Sequence, residues 1–477
     1  MTAGSTMWLV DDELHRQFVT ATGDSNPIHV DELTARRMPF GRVVVHGMHL
    51  LLEVLERTVA ATDRAPRHVR ATFRRPVGIG DPLTIRVDVG DDGDSARCTA
   101  TVGGLVAVDI TSTLLTAPAH RRTGTVAAPP VMQPADREFR DLEGLAGRAV
   151  VAADAAFVQR RFPHLVDVIG IGGVAEFITL TRIVGMDVPG LHSMFSSLDV
   201  SIDPSPTAPS DIGPDQIDYE VVHADQRFAR VTIAVGGPSV RGSLVAFVRS
   251  RPIRQLLSGV RPVAADEFSG WRVLVIGGSR GLGALAVQLL VLGGADVRFT
   301  YRVGADDATA VTKLAPSASA HRFDVLEPDS TVASVLGDDW WPTHLAYFAT
   351  PPIFDGGGER YSPARRKRFD DVYVNAFSRL IRYLGPERLK GVLFPSSVAV
   401  VHAVQGLTEY AESKLEAERC CAQLAAEHPH LVVHAPRFPR LLTDQTTSFV
   451  PSVYGDSERE VLDALRVLVA GNARPIQ

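Results

Sequence analysis

Between Gly47 and Ala61 apolar residues return every three or four positions in GMHLLLEVLERTVAA, the period of a helix with one buried face. Immediately afterwards the period drops to two. RATFRRPVGIGDPLTIRVDV (70–89) and ARCTATVGGLVAVDITSTLL (96–115) alternate apolar and polar side chains, which predicts antiparallel strands with one face on a core. The order then repeats: a helical stretch GGVAEFITLTRIVGM (172–186) precedes MFSSLDVSI, QIDYEVVHAD, FARVTIAVGG and VRGSLVAFVRS, so the architecture reads as duplicated although the residues barely match. From Arg272 the pattern changes again. RVLVIGG followed by GLGALAVQLLVLG starts an alternation of strand and helix, which predicts right-handed crossovers and a parallel sheet.

Two stretches lose periodicity and fill with Ala, Pro, Thr and charge, from Thr116 and from Arg251, and read as connectors. They give three blocks, 1–118, 141–250 and 270–477, in keeping with a length of 477 residues. The formal charge of −6 offers no basic field for nucleic acid. The first residues lack a cationic stretch followed by an apolar one, and no apolar run is long enough for a bilayer, so no membrane partner and a cytosolic location are expected. Cys98, Cys420 and Cys421 have neither metal nor disulfide spacing and read as packing residues. No metal is expected.

Chemistry concentrates first in ATGDSNPIHVD, residues 21–31, where Gly23, Asn26 and Pro27 satisfy a turn but leave Asp24 and His29 unexplained. GDSNPIHVD followed by FGRVVVHGM resembles the signature of the MaoC-like, (R)-specific enoyl thioester hydratases and dehydratases over about residues 8–118. The resemblance implies a hot-dog fold, an antiparallel sheet around a central helix. With the second block it implies a double hot-dog, whose second half supports the first and shares an acyl-binding tunnel with it. It also implies that Asp24 and His29 form the catalytic pair and that Asn26 holds their loop. Removing a proton α to a thioester puts charge on the carbonyl oxygen, so a base and fixed donors are both needed. Gly47, at the helix start, is placed to offer its N–H to that oxygen, with His46 shaping the turn. The second block lacks such a string; its His192, in GMDVPGLHSMFSSL, reads as structural, with tunnel lining as the other reading.

The third block carries VLVIGGSRGLGALAVQLL from Val273, a glycine turn between a predicted strand and helix. Far downstream Tyr410 and Lys414 stand four apart on one helical face, with Ser397 thirteen residues before the tyrosine and Asn375 in DVYVNAF. Together these resemble the short-chain dehydrogenase/reductase family over about residues 270–450, which implies an α/β Rossmann-type doubly wound sheet. By that resemblance Tyr410 donates a proton, Lys414 lowers its pKa and holds the ribose, Ser397 orients the carbonyl and Asn375 supports a proton relay. Gly277, Ser279, Arg280, Gly281, Leu282 and Gly283 form the phosphate turn, Asp324 reaches the adenine and Thr443 the nicotinamide amide. Ile276 stands where that family has threonine, and YFATPPI from Tyr347 replaces its Asn-Ala-Gly strand end. Tyr301 and Arg302 stand where an acid would select NAD, and with Arg280 they favour NADP(H).

Both resemblances converge on one acyl group. A β-ketoacyl thioester of acyl carrier protein or coenzyme A is reduced by NADPH to the (R)-β-hydroxyacyl form and then dehydrated to the trans-2-enoyl product. The alternatives are a hydratase with a 3-hydroxyacyl dehydrogenase in the oxidative direction, a non-catalytic acyl-binding module on an unrelated reductase, and a sugar or small-alcohol reductase. The apolar stripe of SKLEAERCCAQLAAEH (413–428) fits a homodimer or the domain's own packing.

Overall fold

The computed structural model describes residues 5–38, 40–115, 126–202, 215–258, 263–327, 330–353, 361–402, 404–446 and 453–471. The chain divides into two compact units between Arg251 and Pro252.

The first unit is a ten-stranded antiparallel sheet. Its first half supplies β1 Thr6–Leu9, β2 Pro66–Phe73, β3 Pro82–Val89, β4 Ser95–Val102 and β5 Leu105–Leu114. The second supplies β6 Ala146–Val150, β7 Ser193–Ile202, β8 Gln216–Asp225, β9 Arg230–Gly236 and β10 Val240–Val248. The order β1-β3-β4-β5-β2-β7-β10-β9-β8-β6 reads the same way outward from its centre in both halves. There β2 and β7 pair antiparallel, with Val69 opposite Val200 and Ala71 opposite Leu198. The helices Gly47–Thr62 and Pro163–Arg182 pack on each other and on the sheet, and their apolar residues share one core with the inward side chains of the strands. This is the double hot-dog expected from the two repeats of helix and strands. Alternate burial along β9 shows why the period-two pattern works: Val231, Ile233 and Val235 are buried and their neighbours are not.

The structure adds two points. The described part of the connector after the first block, residues 126–141, is ordered: Ala135 donates to Met186 O (2.8 Å) and accepts from Leu191 (2.9 Å), which holds it along the second half. Pro163–Asp187 is also long and apolar enough to cross a membrane, contrary to the reading of the sequence, but 94% of its most apolar window is buried within the fold. A helix covered by the sheet and by the neighbouring helix can be apolar on all sides.

The second unit is a six-stranded parallel sheet built from β11 Arg272–Ile276, β12 Asp296–Tyr301, β13 Ser319–Arg322, β14 His344–Tyr347, β15 Gly391–Leu393 and, after the two-residue β16 Ser396–Ser397, β17 Val432–His434. A last two-residue strand, β18 Arg437–Phe438, pairs with β16. The order β13-β12-β11-β14-β15-β17 reverses direction between β11 and β14, the switch point at which doubly wound sheets bind ligands. The stripe on the helix Thr408–Glu427 is used inside this unit, where Ala417, Cys421 and Leu424 join the core.

Candidate active sites in the two units

The Asp24 stretch is more ordered than a turn. Gly23 ends the helix Asp12–Thr22 at φ +68°, where a Cβ would lie 2.9 Å from Pro129. Asn26 caps a short helix, Pro27–Val30, by accepting from the Ile28 N–H, and Pro27 occupies its first position. That helix carries His29.

Asp24 is buried, and Thr181 donates to its Oδ2 at 2.8 Å. The N–H of Asn26 reaches Oδ1 at 3.3 Å. Gly185 lies against the same carboxylate, for a Cβ there would fall 2.5 Å from Oδ1. Burial pushes the Asp24 pKa up to about 6, against the hydrogen bonds from Thr181 and Asn26 and the Arg182 charge, which hold it down. His29 is half-buried and donates from Nδ1 to the Val44 carbonyl at 2.7 Å, which leaves Nε2 with a lone pair in the neutral ring. Burial lowers its pKa to about 3, so that ring is neutral across the working range. His46 stacks on His29 with centroids 3.6 Å apart and donates to the Asp24 carbonyl at 3.0 Å. Ligating atoms of Asp24, His29 and His46 all lie within 4.8 Å of one another, so the expected pair is brought together and His46 shapes the turn between them.

Gly47 opens the helix Gly47–Thr62, and His46, its N-cap, places no side-chain hydrogen bond on the first turn. A Cβ on Gly47 would come 3.0 Å from the Phe73 ring, so this helix tip admits no side chain without displacing it. His192 is 6% exposed and sits 3.3 Å from Asp136. A cleft of about 400 Å³ on β2 to β5, lined by His68, Asp88, Arg97 and Ser112 among others, contains none of these residues.

Sequence reasoning missed the second half's share of the site: Thr181, Arg182 and Gly185. Asn26 also donates into that half, to Gly185 O at 2.7 Å and Gly190 O at 3.1 Å. No local signal marks these partners.

In the second unit the glycine turn follows β11. Gly277 has φ +80°, and a Cβ there would meet the Ala349 nitrogen at 2.9 Å. At Gly283 a Cβ would fall 2.2 Å from the Gly277 carbonyl, so only glycine lets the helix Gly281–Leu292 start this close to the strand. Arg280 is the N-cap without a side-chain cap bond, which leaves first-turn N–H groups for an anion. Ser279 and Leu282 lie on the same turn, and Thr443 stands beside Gly281, 3.8 Å from where its Cβ would be. The missing threonine at Ile276 is replaced from another strand: Thr300 accepts from the Gly277 N–H at 3.1 Å.

Ser397 hydrogen-bonds Tyr410, and Lys414 lies 5.9 Å from the Tyr410 ring. Burial raises the Tyr410 pKa to about 12, and Ser397 pulls it back down. Lys414 donates to the Pro395 carbonyl at 2.7 Å, its ammonium stands 3.8 Å from the Tyr373 ring centre, and burial lowers its pKa to about 7. The lysine is therefore itself perturbed near neutrality, not only a source of perturbation. Asn375 is placed elsewhere: it is exposed, its amide donates to Asp371 at 3.3 Å, and no described contact joins it to Tyr410 or Lys414. It sits in a π-helical stretch, Asp371–Ala376, whose wider turn rotates side chains away from α-helical positions. Tyr373 faces Lys414 instead, its hydroxyl 2.5 Å from Thr350. Arg280 pairs with Asp444 and, at 3.9 Å, Asp307. Arg302 stands 3.6 Å from Asp324, whose Oδ1 accepts from Leu326 N–H at 3.0 Å. Tyr301, next to Arg302, is half-buried.

Residues 8–109 match the family model described as MaoC like domain. Over 100 residues the chain is 36% identical to a 3-hydroxybutyryl-CoA dehydratase of Methylorubrum extorquens, which covers 19% of this chain and 64% of that protein. Over 65 residues it is 42% identical to the cyclic-di-GMP-binding biofilm dispersal mediator protein of Escherichia coli, 14% of this chain and 27% of that protein. The chain thus spans less than two thirds of the length of these relatives. A solved short chain dehydrogenase of Shigella flexneri complexed with NADP aligns at 19% identity and a TM-score of 0.38, over 43% of this chain and 93% of that one. The chain therefore joins a MaoC-like domain at its N-terminal end to a unit built on a Rossmann-type parallel sheet.

Proposed function

We propose that the first unit interconverts a 3-hydroxyacyl thioester and its trans-2-enoyl form, and that the second reduces the corresponding 3-oxoacyl thioester. The carrying observation is the approach of the Asp24 carboxylate, held by Thr181, to the His29 imidazole, whose tautomer is fixed by Val44, beside an uncapped helix tip. Nε2 of His29 takes or returns the α-proton, Asp24 exchanges a proton with the departing or attacking water, and the Gly47 N–H faces the oxygen on which charge develops.

In the second unit the Gly277–Gly283 turn and its open first helical turn fit a dinucleotide pyrophosphate. A bound nicotinamide cofactor supplies the hydride. Tyr410 protonates the new alkoxide and Ser397 holds the carbonyl oxygen, while Lys414 delivers charge to the buried phenol. NADP(H) is the form that suits Arg302, because its ion pair with Asp324 is long, whereas Arg280 is already balanced by Asp444 and Asp307. The acyl group travels on coenzyme A or an acyl carrier protein, reduced first and dehydrated second.

The test offers a 3-oxoacyl-CoA and NADPH to three proteins and follows product mass. The natural chain gains two hydrogens and then loses water. Asp24→Asn stops at the hydroxyacyl stage, with dehydration down at least ~100-fold, and Tyr410→Phe oxidises no NADPH yet still hydrates crotonyl-CoA. A natural chain that neither hydrates crotonyl-CoA nor consumes NADPH with any 3-oxoacyl thioester would sink the reading.

A further inference from the structure

Arg249 directly follows β10 and is buried, only 4% exposed. Its hydrogen bonds do not match its charge. Nη2 donates to the Leu191 carbonyl, Nη1 meets the thioether sulfur of Met38 at 3.3 Å, and Nε has no partner among the described residues. A thioether is a weak acceptor, and a guanidinium carries five N–H donors and a fixed charge. The other buried arginine of this site, Arg182, differs on both counts: it donates to the carbonyls of Thr22, Ala152 and Val150, and its charge is coupled to that of Asp24. Around Arg249 burial lowers the pKa to about 10, and no carboxylate among the described residues opposes it.

Arg249 also lies at the Asp24–His29 site. The Leu191 carbonyl that accepts from it accepts from the Asn26 amide as well, at 3.4 Å. Its charge is one of the influences that depress the His29 pKa. A cation buried without a counter-ion is costly, so one retained beside a catalytic pair leaves a standing demand for an anion. The planar donor edge of a guanidinium fits carboxylate and phosphate oxygens.

We propose that Arg249 binds an anionic oxygen group carried by the thioester substrate, either a carboxylate on the acyl chain or a phosphate beyond the pantetheine arm. This rests on the acyl-thioester reading of the site. Four thioesters separate the sources: crotonyl and 4-carboxybut-2-enoyl, each on coenzyme A and on N-acetylcysteamine, which has no phosphate. Arg249→Met is expected to lose at least tenfold more kcat/KM on the anion-bearing thioesters than on crotonyl-N-acetylcysteamine, and Arg249→Lys to recover part of the difference. Loss confined to the carboxylated pair assigns the acyl end, and loss on both coenzyme A thioesters assigns the phosphate. An equal loss on all four, or none, overturns the proposal and leaves Arg249 as a brace for the Leu191 turn. Thermal stabilisation of the Asp24→Asn protein by the same four compounds reads binding without turnover. If the natural chain hydrates nothing while anionic thioesters still stabilise it through Arg249, the dehydratase reading fails and the anion site stands.

Discussion

Asp24 has its pKa set by two opposed influences, burial that raises it and hydrogen bonds that lower it, and the balance lies at about 6. Because the folded value exceeds the unfolded one, the carboxylate form is disfavoured by the fold. Stability therefore falls as pH rises from about 4 towards 6, and the protonated form that can give its proton to the departing hydroxide is depleted over the same window. Dehydration of 3-hydroxybutyryl-CoA, in which neutral His29 takes the α-proton and protonated Asp24 gives its proton to the departing hydroxide, should accordingly fall off as pH rises through about 6. In Thr181→Val the donor that favours the carboxylate is gone, so that fall should move up by about one pH unit. A fall left in place, measured on kcat/KM, would remove Thr181 from the positioning of Asp24. Asp24 and His29 could be picked out from nine consecutive residues because their loop is made by its own caps and turns. Thr181 could not, since it stands 157 residues away and touches Asp24 only once two helices have packed.

Elements obeyed the pattern of the sequence wherever the pattern reflected burial on one side. β8 coincides with the period-two stretch QIDYEVVHAD, and the alternating stretch 96–115 becomes β4 and β5, joined at Gly103 and Gly104 with φ +58° and +81°. The departures have physical causes. Pro163–Asp187 exceeds the helix read from Gly172 because a helix buried on every side has no polar stripe to mark its start, and Gly170 breaks its geometry at φ 74°. The resemblance gave Asn375 a place in a proton relay, whereas the π-helical turn presents Tyr373 to Lys414 and leaves Asn375 exposed beside Asp371. The glycine turn has the close strand-to-helix approach expected of it, and its tolerance is measurable. Gly283→Ala forces a Cβ onto the Gly277 carbonyl, so NADPH affinity, followed by fluorescence titration, should fall at least tenfold and the unit should lose ~1–3 kcal/mol, with crotonyl hydration unchanged. Unaltered NADPH binding would show that the turn does not hold the dinucleotide.

At the scale of the whole chain, the mirrored strand order of the first unit explains why a half without the Asp-His string is still present: it continues the sheet across β2 and β7 and supplies the wall against which Asp24 is held. Asn26, with Thr181 and Arg182, ties the two halves at that wall. Asn26→Ala leaves the Gly185 and Gly190 carbonyls without their donor, which should cost ~2–4 kcal/mol in urea unfolding and lower hydration well beyond that loss of folded protein. A variant as stable as the natural chain would show that the tie is dispensable. What the sequence determined by itself is local: the period of each element, the caps and glycine turns, the chemical types at the two sites, and the duplication, all set by side chains within a few positions of one another. The tertiary structure alone decided the partner of Asp24, the placing of Asn375 away from the Lys414 contacts, the Thr300 bond to the glycine turn and the Arg249 Nε that has no partner among the described residues. Each of these depends on desolvation and on contacts between distant segments, quantities that come into existence only when the chain has packed.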